Sequence, residues 1–172
     1  GRRPRARLGS RGMTSPNLTT FVTRGESQTI DFGRRLASVL RPGDIVALVG
    51  ELGAGKTRFV RGLAQGLGIA PERAHSPTYL LANVYEGVGG VRLVHVDAYR
   101  LSGAEDLEAL GWDRLEDGAS IVVVEWADRL GEAIAEPGRA FRIVIEHVGP
   151  EERRISVAMP EGREAERVHL ES

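Results

Sequence analysis

Cysteine is missing from all 172 residues of the chain, which removes disulfide scaffolds, thiol nucleophiles, iron–sulfur clusters and cysteine-based zinc sites together. Histidine is scarce. His75, His95, His147 and His169 never fall at the i, i+3 or i, i+4 spacing that sets two ligands on one helix face, so a protein-built transition-metal centre is not expected. No apolar run approaches the roughly 18–20 residues needed to cross a bilayer, and nothing resembles an export signal. The expected compartment is the cytoplasm, with no membrane partner. Lysine is nearly absent too: Lys56 stands alone against 22 arginines.

What remains is a chain of single-domain size, 41% hydrophobic and 27% charged, a composition that favours a globular fold with a real core. Its net charge of −1 hides an asymmetry. Residues 1–12 hold five arginines and no acid, and the rest carries 18 basic against 24 acidic residues, so the body has no electrostatic footprint for nucleic acid of its own. Residues 1–16 are expected to form a flexible basic leader, either a tag or an extension; the sharper alternative is an arm that touches RNA phosphates. Residues 17–160 are expected to form a single domain, and the charged, poorly patterned residues 161–172 a flexible tail.

Hydrophobic patterning predicts a strand at Leu18–Thr23 and a helix opening at Glu26-Ser27, with Ile30, Leu36, Ala37 and Leu40 at helical spacing. Ile45–Val49 is a continuous apolar run of strand length, as suits a strand covered on both faces. A helix follows to about Leu67. Further strands are predicted at Tyr79–Tyr85, Val91–Val96, Ile121–Val124, Phe141–Val148 and Arg154–Met159, with short helices at Ala104–Leu110 and Leu115–Asp117 and partly helical structure over Ala127–Ile134. The last two strands, joined by Gly149-Pro150-Glu151-Glu152, read as a hairpin. The fold class is α/β: a three-layer P-loop NTPase fold with a mixed, mostly parallel central sheet and a C-terminal β-hairpin.

Gly50-Glu51-Leu52-Gly53-Ala54-Gly55-Lys56-Thr57 matches G-x-x-x-x-G-K-[ST] at every fixed position, directly after a strand and opening a helix. This chain's own composition gives such a match by chance on the order of one time in a thousand. Glycines let backbone N–H groups turn inward as an anion nest, and the helix points its positive end at the same spot. Lys56 supplies a full charge for β- and γ-phosphates, and Thr57 a hydroxyl for Mg²⁺. Arginine fills every other cationic role, yet a lysine remains where a compact ammonium must sit among phosphates.

Such a loop needs an acid at the end of a neighbouring buried strand. Val91–Val96 delivers Asp97, and the more apolar Ile121–Val124 delivers Glu125. Hydrophobicity favours Glu125 as the metal ligand and leaves Asp97 to orient or deprotonate the attacking water; the competing reading of each is a carboxylate satisfied by turn amides. Thr78, in Ser76-Pro77-Thr78-Tyr79, either senses the nucleotide from a switch-like segment or enters an ordinary strand. Trp126 either lines the site or packs in the core. Arg100 reads as an ion-pair partner before a catalytic finger. A GTPase would need an Asn-Lys-x-Asp motif, which the single lysine excludes. A small-molecule kinase is the alternative, although a hairpin stands where a kinase places its arginine-rich lid.

In combination, the loop, Ser76-Pro77-Thr78-Tyr79, His95-x-Asp97-x-Tyr99-Arg100-Leu101, Asp106-Leu107-Glu108-x-x-Gly111 and Val124-Glu125-Trp126 resemble the bacterial TsaE (YjeE) family in order and approximate spacing over about residues 17–158. The resemblance implies a slow, partner-dependent ATPase of tRNA N6-threonylcarbamoyladenosine biosynthesis, the modification at position 37. It implies TsaD and TsaB as partners, with tRNA met indirectly, and ATP/ADP and Mg²⁺ as ligands. Mapped by motif, Leu52, Gly53, Ala54, Gly55, Lys56 and Thr57 hold the nucleotide, Thr57 and Glu125 hold Mg²⁺, and Asp97 is the second essential acid. Outside the motifs, the segment around Glu26, leading into the first helix, resembles the part of the family that approaches adenine.

Overall fold

The computed structural model of the protein describes residues 18–51, 53–70, 82–99, 101, 104–109, 111–115, 117–127 and 138–171. In chain order these form β1 (Leu18–Arg24), α1 (Glu26–Ala37), β2 (Ile45–Gly50), α2 (Lys56–Gly66), β3 (Ala82–Glu86) and β4 (Arg92–Asp97). They continue with α3 (Ala104–Ala109), α4 (Trp112–Leu115), β5 (Ser120–Glu125), β6 (Phe141–His147) and β7 (Glu152–Ala158). The seven strands make one sheet in the order β1-β7-β6-β2-β5-β4-β3. Its centre is parallel, with β2 between β5 and β6 and β4 beside β5. The flanks are antiparallel: β7 on β6, β1 on β7 and β3 on β4.

The unbroken apolar runs are the central strands because a strand there loses water from both faces. All of β5 is buried, as are Ile45 to Leu48 of β2, and alternation sends their side chains to opposite sides. Val46, Leu48, Ile121, Val123 and Leu93 pack under Phe32, Leu36, Phe59 and Leu63 of α1 and α2. Ile45, Ala47, Val122, Val124, Val94 and Val96 pack against Leu101 and the α4 residue Trp112. Each fully buried Val, Leu or Ile contributes about 2 kcal/mol, which favours β2 and β5, the two most continuously buried strands, at the centre of the sheet. The two helices on the first face touch closely enough to need glycine: a Cβ on Gly62 would lie 1.9 Å from the carbonyl oxygen of Ile30.

Two expectations are corrected. The short helix placed at Leu115–Asp117 falls instead at Trp112–Leu115, because Asp117 spends its Oδ1 on the amides of Ala119 and Ser120, both at 2.9 Å. That side-chain turn leads straight into β5 and competes with a helix. Residues 161–171 do not fray. A 3-10 segment, Glu164–Leu170, buries Leu170 in the core beneath α1 and α2. Arg163 reaches Asp44 Oδ1 and the Val39 carbonyl, each at 2.5 Å, and lies over the Phe141 ring. Of the segment Ala127–Ile134, only Ala127 is among the described residues.

Candidate functional site

The parallel register brings the chemistry together. Leu48 of β2 and Asp97 of β4 both pair with Glu125 of β5, so both acids end their strands beside the point where β2 runs into the glycine-rich loop. Ligands of open α/β sheets sit at such carboxyl ends. A cleft of about 550 Å³ opens there, lined by Glu26, Gly53, Gly55, Lys56, Thr57, Arg58, Arg61, Asp97, Glu125 and Trp126.

The loop leaves β2 at Gly50 and enters α2 at Lys56. Gly53 and Gly55 have φ of +78° and +108°, the left-handed region that turns consecutive amides to one side and that side chains resist. The carbonyls must then be satisfied behind the loop. Arg153 of β7 does this for Ala54, donating Nε–H to its oxygen at 2.9 Å from a position only 7% exposed. Lys56 is 6% exposed. Its Nζ donates to the Gly50 carbonyl at 2.5 Å and stands 3.1 Å from the centroid of the Trp126 ring, so a carbonyl dipole and an aromatic face meet the charge. Trp126 has φ +58°, the single non-glycine residue with positive φ among the described residues. Its ring also meets Tyr99, at 5.0 Å between centroids.

The two acids sit differently. Glu125 is buried, with Oε2 2.6 Å from His95 Nε2, whereas Asp97 is exposed and its Oδ1 accepts the Tyr99 amide at 3.0 Å. The charge of Glu125 reaches Tyr85 as well: that phenol is pushed up chiefly by burial and further by the carboxylate, against an opposing hydrogen bond with Asn83. At the mouth, Glu26 lies between Arg58 (3.4 Å) and Arg61 (3.8 Å). The cleft thus sets three cations from α2, with Glu26 among them, opposite the two carboxylates of the sheet side, Asp97 and Glu125.

Of the residues singled out in the sequence, Glu26, Gly53, Gly55, Lys56, Thr57, Asp97, Glu125 and Trp126 share this cleft. Gly50 and Ala54 stand behind it, offering their carbonyls to Lys56 and Arg153. Leu52, Thr78 and Arg100 lie outside the described residues. Trp126 lines the cleft, and Asp97 both lines it and takes a turn amide. Sequence reasoning passed over Arg58, Arg61, Arg153 and the tie from His95. Arg61 was legible as the next residue along the stripe of α2 that carries Thr57, four positions on, and Arg58 as its own neighbour one turn earlier, three positions before it. Arg153 and the His95 tie carry no local signal, since each depends on strand register.

The oxygen-only donors Thr57 and Glu125 on one cleft suit a hard divalent ion. Among the described residues no three His, Asp or Glu side chains converge on one point.

Comparison with known proteins follows the same lines. The model of the family described as threonylcarbamoyl adenosine biosynthesis protein TsaE matches residues 23–155. The chain is 49% identical to the tRNA threonylcarbamoyladenosine biosynthesis protein TsaE of Streptomyces coelicolor over 116 residues, covering 66% of this chain and 76% of the relative. It is 37% identical to the protein of the same description from Mycobacterium tuberculosis over 164 residues, 90% and 92% of the two. The crystal structure of Bacillus subtilis YdiB superposes with a TM-score of 0.72 at 31% identity, covering 90% of this chain and 94% of that one.

Proposed function

The chain belongs to the TsaE family of threonylcarbamoyl adenosine biosynthesis proteins, and on that premise we propose that its share in this biosynthesis is to bind and hydrolyse ATP on the TsaD–TsaB complex, meeting tRNA indirectly. The observation that carries the reading is the convergence on one cleft of Lys56, Thr57, the loop glycines and the ends of β4 and β5. Loop amides and the Lys56 ammonium hold the phosphates. Thr57 and Glu125 hold Mg²⁺, which when bound offsets the charge that develops on the phosphoryl oxygens. Asp97, with one oxygen steadied by the Tyr99 amide, orients the attacking water and accepts its proton. Arg58 and Arg61, more exposed and shared with Glu26, supply cationic field at the mouth.

The test compares ATP hydrolysis by the protein alone, with purified TsaB and TsaD, and with tRNA added. Stimulation by the two proteins is the expected result. Lys56→Ala should lower turnover by roughly 10²–10³-fold or more, the scale of losing one charge-stabilising donor, with the fold retained by circular dichroism. Unchanged turnover in that variant, or efficient phosphorylation of a metabolite by the isolated protein, overturns the proposal, the latter in favour of a small-molecule kinase.

A further inference from the structure

Resting on the reading of the cleft as a Mg²⁺–nucleotide site, we propose that His95 is the positioning residue for Glu125, fixing from behind the carboxylate that holds the ion. The hydrogen bond between His95 Nε2 and Glu125 Oε2 is 2.6 Å long, and the two side chains are only 17% and 11% exposed. With a carboxylate oxygen as acceptor, the imidazole Nε2–H is the donor of this bond.

Strand register makes the pairing. β4 and β5 run parallel with His95 opposite Val123 and Asp97 opposite Glu125, which sets His95 diagonally behind Glu125 on the face that packs against α2. His95 does not line the nucleotide cleft. It lines a neighbouring one of about 510 Å³ with Thr57, Val60, Arg61 and Tyr85, and its hydrogen bond toward the chemistry is the one to Glu125. The restraint has something to act on, because glutamate has three side-chain torsions and the last of them is broad. A second contact, from outside the coordination sphere, selects the rotamer and keeps one oxygen occupied. Outer partners of metal-ligating carboxylates act in this way.

The experiment measures binding of a fluorescent ADP to the full chain in EDTA and in Mg²⁺, for wild type, His95→Ala, His95→Gln and Glu125→Gln. Glutamine places an amide N–H close to the position of Nε2 and serves as the rescue. In EDTA, His95→Ala should bind as wild type does. In Mg²⁺, wild type and His95→Gln should gain affinity, and His95→Ala should lose that gain by roughly 10- to 100-fold. On the Glu125→Gln background, His95→Ala should have no further effect. Wild-type Mg²⁺ enhancement in His95→Ala overturns the positioning role, as does equal weakening with and without the ion, which marks a general packing role. Wild-type binding that ignores Mg²⁺ overturns this inference while leaving nucleotide binding intact. Wild type that binds no nucleotide overturns the reading beneath it.

Discussion

At the residue scale the two acids have different surroundings, and their substitutions should separate. Asp97 is exposed and held by a backbone amide, so Asp97→Asn should leave nucleotide affinity near wild type while turnover falls by roughly 10²–10⁴-fold, the usual scale of a lost general base. Equilibrium binding and single-turnover hydrolysis on the same preparation check this, and loss of binding would move Asp97 into the ligand-holding set. Lys56 and Thr57 were legible from the sequence because their chemistry is local: glycines, lysine and hydroxyl lie within eight residues. Arg153 was not. It stands 99 positions from the carbonyl it serves, and nothing within its own strand distinguishes it from the neighbouring Arg154.

At the element scale, hydrophobic runs identified every strand among the described residues, with the ends that can be compared shifted by at most two residues, because burial on one face or two is written into alternation or its absence. Helix position was less secure where a side chain competed with the backbone, as Asp117 does. The Asp117 carboxyl lies below the ordinary carboxylate value, chiefly through the Ala119 amide and also through Ser120 and Arg92. A carboxyl depressed on folding contributes stability above its unfolded pKa and loses it as pH falls through the folded value. Asp117→Asn should therefore lower Tm at pH 7, and the gap from wild type should close as the pH drops below about 4. Thermal melts across that range test the sign. The approach of α1 to α2 makes a second case: Gly62→Ala must push Cβ into the Ile30 carbonyl, and a loss of about 1–3 kcal/mol is expected from overpacking, read by urea denaturation.

At the scale of the whole molecule, the sheet is a scaffold whose parallel centre presents one edge of strand ends, and its antiparallel hairpin of β6 and β7 braces the loop from the far side through Arg153. The charged last segment escaped sequence reading because its hold on the body is made of single long-range contacts, Arg163 to Asp44 and Arg35 to the Leu170 carbonyl, which leave no periodic trace. Of the two tryptophans in the chain, Trp112 on α4 is buried against the sheet, and Trp126 lies against the lone lysine. An anion that draws this ammonium toward itself must take it off the indole. The protein therefore carries its own gauge of occupancy: in a Trp112→Phe variant, emission from Trp126 should shift as ADP is added, and in Lys56→Ala the signal should stay flat.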